Sequence, residues 1–485
     1  MHFLDPEKQT RRAFLRRSGQ LALSGTALPF ALNLAAMGEA AAFDANDYKA
    51  LVCVFMYGGN DYANTVVAYD DASYNKYSVI RGGGAGQTAG GITLAKADLA
   101  ATLLNPTVPL PGGRQYALHP SMSAMANLFN TGKAAVQLNV GPLVVPLTKA
   151  QYNGADRKNY PLPPKLFSHN DQQSIWQSSS PEGSTIGWGG NLGDLAMSSN
   201  ATSTFTCINV TGNAVFLSGD SALSYQVSTS GAVAINSVKS NVYGSSAVRA
   251  AMSSLVQQPR THILENEYNR VTARAVGAEA QITSGLSGVT LATPFPAGSL
   301  GDQMKLVARL IAARNTLGNK RQVFLVSIGG FDLHDNLMDQ HPALLNGVSG
   351  AMAALYNATV EMGIASKVTS FTASDFGRTL QSNGDGSDHG WGSHHFVVGG
   401  AVNGQAFYGT APEVSVGNTT AAVDQGHVGQ GRLLPTTSVD QYAATLAKWF
   451  GVADPEMAGI LPNLKHFGAA AGRADYPSNM GFMAG

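Results

Sequence analysis

The stretch KVTSFTASDFGRTLQSNGDGSDHGWGSHHFVVGG, Lys367–Gly400, decides how the chain is read. It opens on a strand-like run, Val368 to Ala373, and breaks into a polar loop carrying Asp375, Arg378, Asp388, His389, His394 and His395. A second apolar run, Phe396 to Val398, closes it before two glycines. Ligands beyond the end of a buried strand are a usual way to build a site in an open α/β sheet. Three of the ten histidines outside the N-terminal leader fall within seven residues here. Carboxylates, imidazoles and a guanidinium together suit a metal-bound oxyanion. The competing reading is a hydrogen-bonded loop with surface histidines.

Working outward, other segments repeat the pattern. Ala50–Met56 is a near-continuous apolar run, as expected of a central parallel strand covered on both faces, and it ends in Gly58-Gly59-Asn60-Asp61. Gln322–Ile328 is another, ending in Gly329-Gly330-Phe331-Asp332-Leu333-His334. Between them, Tyr69–Gly91 reads as polar surface loop, Ser121–Phe129 as a helix after Leu118-His119-Pro120, and Ala134–Val140 as a strand. Ser168 is placed to N-cap a helix running through Trp176. Ser198–Val242 is rich in Ser, Thr, Asn and Val and reads as a small β-rich insertion or cap. Ala247–Ile282 reads as helical, Gly301–Leu317 as an amphipathic helix, Pro342–Met362 as the helix returning to the opening strand, and Ser438 as the N-cap of a helix reaching Phe450. Strands alternating with helices imply an α/β fold with a doubly wound, mostly parallel sheet.

Three strands thus end in acid-bearing turns, at Asp61, at Asp332 with His334, and at Asp375; Asp388-His389 adds a fourth cluster. In a doubly wound sheet those ends share one edge. Asp with His suits zinc, manganese or iron, whereas carboxylates alone would suit magnesium or calcium. One or two divalent ions are expected.

The N-terminus carries Arg11-Arg12, a mildly apolar run from Leu21 to Met37, and Ala40-Ala41-Ala42. These make a twin-arginine export signal over residues 1–42, with the folded domain at 43–485 and the twin-arginine translocase as export partner. The run is too short and too interrupted to span a bilayer. Removing the leader takes away five basic and three acidic residues, leaving 26 basic against 28 acidic. Nothing in that balance suggests nucleic acid or an anionic membrane surface as a partner. A periplasmic or secreted location is expected. Cys53, in an apolar strand, reads as an inert buried thiol.

Gly58-Gly-Asn-Asp61, Leu118-His-Pro120, Ser168-His169, Gly329-Gly-Phe-Asp-Leu-His334, Ser374-Asp-Phe-Gly-Arg378, Asp388-His-Gly390 and Leu434-Pro-Thr-Thr-Ser-Val-Asp-Gln-Tyr442 occur in that order. Together they resemble a family of twin-arginine-exported bacterial proteins, domain of unknown function fifteen-oh-one, grouped with the alkaline phosphatase/sulfatase superfamily. The resemblance implies an alkaline-phosphatase-like α/β/α core and a metal-dependent hydrolase of phosphate or sulfate esters. Carried over, Asp61, Asp332, His334, Asp375, Asp388 and His389 become the metal ligands, with His395 an alternative to His389. Ser168 becomes the candidate nucleophile at a helix N-terminus, or only a cap. Arg378 either binds a tetrahedral anion or pairs with a ligand carboxylate, and His395 would neutralise developing charge. Two features depart from the superfamily pattern: Phe376 follows Asp375 where histidine is usual, and Asp332 and His334 stand closer than expected. A non-catalytic binding or assembly protein keeping the fold is the alternative.

Overall fold

The computed structural model describes residues 45–484 except 46, 83–90 and 213, so the expected export signal over residues 1–42 lies outside the described residues. Nine strands form the central sheet: Lys49–Met56 (β1), Ala134–Gly141 (β2), Cys207–Asn209 (β3), Tyr225–Gln226 (β4), Arg321–Ile328 (β5), Val368–Ser374 (β6), Ser393–Gly399 (β7), Ala406–Tyr408 (β8) and Thr437–Ser438 (β9). Their order is β8-β2-β7-β6-β1-β5-β3-β4, with β9 also against β2. All pairings are parallel except those of β7 with β2 and β6.

Helices of eight residues or more among the described residues are Asp71–Ile80 (α1), Ser123–Asn130 (α2), His169–Ser178 (α3), Trp188–Ala196 (α4), Ser246–Gln257 (α5), Ile263–Leu286 (α6), Ser299–Ala312 (α7), Leu337–Glu361 (α8) and Val439–Phe450 (α9). The sheet is buried on both faces because β1 alternates between two cores. Ala50, Val52, Val54 and Met56 join α2, α7 and α8, whereas Leu51, Cys53 and Phe55 join α3, α4 and α9. That is the physical reason the strand reads as continuously apolar. Cys53 and Cys207 are both buried free thiols. No described helix is long and apolar enough to cross a membrane.

Three expectations change. Tyr69–Gly91 contains α1, capped by Asp70, which accepts from the Ser73 amide. Ser198–Val242 is not a separate β-rich cap, because β3 and β4 extend the central sheet beyond β5. Ala247–Ile282 is two helices, α5 and α6, parted around Pro259, whose missing N–H cannot continue a helix.

Candidate metal centre at the carboxyl edge of the sheet

Because β6, β1 and β5 are adjacent and parallel, their carboxyl ends share one edge. The turn after β5 delivers Asp332 and His334. The Arg378–Ser382/Ser387–His389 hairpin between β6 and β7 delivers His389, and the first turn of α3 delivers His169. Gly58 makes the crossing tight. It sits at φ +115°, and a Cβ there would lie 2.3 Å from the Asp332 nitrogen.

His169, Asp332 and His389 each offer one ligand atom, all within 4.8 Å of one another. His389 Nε2 lies 3.0 Å from His169 Nε2 and 3.0 Å from His334 Nε2. Asp332 Oδ1 lies 3.3 Å from His389 Nε2 and 3.1 Å from His334 Nε2, and its Oδ2 lies 3.4 Å from His169 Nε2. The opposite nitrogen of each ring is engaged. His389 Nδ1 donates to the Phe167 carbonyl at 2.8 Å, His169 Nδ1 pairs with Asp375 Oδ2 at 2.6 Å, and His334 Nδ1 pairs with Asp388 Oδ1 at 3.3 Å. With those three Nδ1 atoms as donors, each Nε2 carries a lone pair. Three imidazole lone pairs and a carboxylate then crowd one place with no donor among them, an arrangement that requires a proton or a cation. This donor set fits a divalent transition metal, with carboxylates and a carbonyl orienting its histidines from behind.

The electrostatics agree with the contacts. The hydrogen bond that His169 donates to Asp375 raises the His169 pKa above its ordinary value, against the effect of burial. Burial lowers that of His389. For Asp332, burial pushes the pKa up, but the hydrogen bond and charge of Arg378 outweigh it and the net shift is downward.

Of the six expected ligands, the structure brings Asp332, His334 and His389 together. Asp375 and Asp388 instead stand behind His169 and His334. Asp375 is fully buried and Oδ2 also accepts from the Gly58 amide and Gln173 Nε2, at 3.1 and 2.8 Å. Asp61 lies in a separate buried ion pair. Its Oδ2 accepts from Arg81 at 2.6 Å and from Ser387 Oγ at 2.7 Å, while Oδ1 accepts from the Asn64 amide. Its bonds therefore go to this pair and its neighbours, and it is not among the residues grouped at the cluster.

The expected catalytic groups are also redistributed. Arg378, 1 % exposed, donates to Asp332 Oδ1 at 2.6 Å and to the Gly58 and Ser387 carbonyls. It therefore takes the carboxylate-pairing role, not the anion-binding one. His395 is fully buried between Trp176 and Tyr442, with Nδ1 against Thr372 Oγ1, and burial lowers its pKa to about 3. Its side chain belongs to the core, because β7 is buried along its whole length and on both faces. Ser168 holds the N-cap position of α3 without a capping bond; its Oγ donates to Asp171 Oδ2 at 2.9 Å.

His169, Arg81, Gln173 and Arg432 were not singled out from the sequence as site residues. His169 was within reach, since it immediately follows Ser168. Arg432 Nε donates to the His389 carbonyl at 2.8 Å, and its guanidinium stacks on Phe167. Phe376 packs its ring against His169 and His389 at 4.8 and 4.7 Å between centroids.

A mostly parallel α/β/α architecture with a histidine–carboxylate cluster at its strand ends is thus the class of protein defined here. The chain belongs to the family described as Protein of unknown function (DUF1501), whose model matches residues 48–461. No curated protein matches the chain. Among solved structures it is similar to one described under metabolism of multiple glycosaminoglycans by Bacteroides thetaiotaomicron, at 10% identity and TM-score 0.27, covering 74% of this chain and 69% of that one. A TM-score that low bears on neither fold detail nor function.

Proposed function

We propose that this protein is an exported hydrolase of phosphate or sulfate esters that uses a divalent transition metal held by His169, Asp332, His389 and His334. The observation supporting it is the meeting of imidazole Nε2 atoms at 3.0 Å with each Nδ1 already engaged. A bound ion of that kind would supply Lewis acidity toward an ester oxygen. Asp375, Asp388 and the Phe167 carbonyl hold the three imidazoles in one tautomer, and Arg378 balances the charge of Asp332. Ser168, one residue before His169, is the nucleophile in this reading. Its proton already points at Asp171, 3 % exposed, so an oxygen lone pair is left free to attack phosphorus or sulfur. The P–O or S–O bond to the alcohol breaks, Asp171 receives the Ser168 proton and passes it to the departing alkoxide, and water then hydrolyses the seryl ester. The α3 N-terminus favours the anionic ester there. Arg432, whose terminal nitrogens have no protein partner among the described residues, is the cation left to hold a non-bridging oxygen.

The test is hydrolysis of a panel of phosphate and sulfate monoesters by the metal-loaded mature protein and its Ser168→Ala variant. Turnover in the wild type, lost in the variant at unchanged metal content, is the expected result; no turnover of any ester by the loaded wild type would end the hydrolase reading. One observation favours the non-catalytic alternative: Arg378 spends its bonds inside the protein and is unavailable to an anion. The export part of the proposal rests on Arg11-Arg12 and is tested by Arg11→Lys/Arg12→Lys, which should leave the protein in the cytoplasm.

A further inference from the structure

The turn that carries Asp332 also walls a cleft. It has a volume of about 950 Å³, opens at the carboxyl ends of β3, β4 and β5, and is lined among others by Thr211, Gln226, Ser228, Thr229, Gln303 and Gly329. Gly329 is three residues before Asp332, which puts their Cα atoms at most about 11 Å apart. The cleft and the candidate metal centre therefore lie along the same carboxyl edge of the sheet and share the turn after β5.

The lining has a definite chemistry. Its polar groups are hydroxyls and carboxamides, each able to donate and accept. Gln303 is fixed as the floor, since Nε2 donates to the Ser327 carbonyl and Oε1 accepts from the Ser327 amide, each at 2.9 Å. Gln226 and Thr229, by contrast, have side chains without a protein partner among the described residues. Val210, Val227, Val233 and Ile328 add apolar surface between these groups. Among the described lining residues there is no cation to hold a second phosphate and no aromatic ring to stack a nucleobase. Alternating neutral hydrogen-bonding groups with small apolar surface match a polyol, whose hydroxyls and C–H faces alternate in the same way. The volume lies within the range of about 300–1,000 Å³ usual for small-molecule sites.

We propose that this cleft binds the alcohol portion of the substrate and that this portion is a neutral sugar. The substrate class is then a sugar phosphate or sugar sulfate monoester, an assignment that rests on the hydrolase reading, whereas sugar binding by itself does not. Gly329 gives a direct probe: its φ lies outside the left-handed region, and a Cβ there would meet nothing within 4 Å. Gly329→Phe should fill the cleft without disturbing the backbone.

The experiment is saturation-transfer NMR of the full mature protein with a panel of neutral mono- and disaccharides, repeated on Gly329→Phe and on Gln226→Ala/Thr229→Ala. Saturation transfer to at least one sugar in the wild type, lost in both variants at unchanged melting temperature and metal content, is the expected result. No transfer to any sugar in the wild type, or equal transfer in wild type and both variants, would overturn the proposal. Hydrolysis of phenyl phosphate and phenyl sulfate, run beside it, reports on the hydrolase reading separately. Sugar binding without ester cleavage keeps the cleft assignment and removes the ester, while cleavage without sugar binding does the reverse.

Discussion

A 2.6 Å contact joins His169 Nδ1 to Asp375 Oδ2, and the whole cluster depends on such contacts. An imidazole presents its Nε2 lone pair only while Nδ1 keeps its proton, so the carboxylate behind it sets ligand strength. Replacing it by an amide, as in Asp375→Asn, should weaken metal affinity about 10- to 100-fold without unfolding the protein, read by competition with a chromophoric chelator. The second residue-scale prediction concerns Asp61 and Arg81, both buried. Arg81→Leu leaves the carboxylate buried without its cation, and urea denaturation should show a loss of about 3–5 kcal/mol. The double variant Asp61→Leu/Arg81→Leu should recover much of that loss. Asp61 was legible as a residue at a strand end, but not its partner, because Arg81 reaches it from the cap just past α1, in a stretch whose polar composition reads as loop. A sequence shows that an acid follows a strand; it does not show which way the carboxylate turns.

At the scale of elements, the alternation of β1 between two cores made the parallel sheet readable, and the same held for β5 and β6. Length of apolar run and position of glycine carry that information locally. Strands β3 and β4, at the far side of the sheet, are three and two residues long, too short to show a period, so their place in the main sheet was hidden. His395 was misplaced for a related reason. Its neighbour His389 shares its chemistry and lies in the site, but β7 is buried on both faces, so His394 and His395 both enter the core. The turn after β1 yields the prediction proper to this scale. Gly58→Ala puts a Cβ where the Asp332 amide sits, at a φ of +115° that L-residues avoid. The two turns must part, and both melting temperature and metal content should fall; retention of full metal content would show that the turn does not position Asp332.

For the molecule as a whole, stability toward acid follows from its buried histidines. Burial depresses the pKa of His341, His394 and His395 to about 3 and that of His119 to about 4, from an ordinary 6.5. The unfolded chain then takes up protons that the native state refuses, so stability rises with pH. These groups contribute fully above about pH 6.5, and their contribution is lost as pH falls toward 3. Asp440 works the other way, since burial raises its pKa to about 6; its contribution is present below its ordinary 3.8 and lost as pH rises through 6. Four histidines against Asp440 and against His169, whose pKa the bond to Asp375 raises, predict a net fall in melting temperature from pH 7 to pH 5. It is measured on protein stripped of divalent ions so that loss of metal does not contribute.

The central claim is that imidazoles from α3, from the turn after β5 and from the hairpin before β7 hold one metal centre. Metal analysis of the purified mature protein beside His169→Ala tests it most directly. A stoichiometric transition metal in the wild type, lost in a folded His169→Ala variant, is the predicted result. A wild type free of metal after exposure to zinc, manganese and iron, or a variant that keeps its full complement, would contradict it.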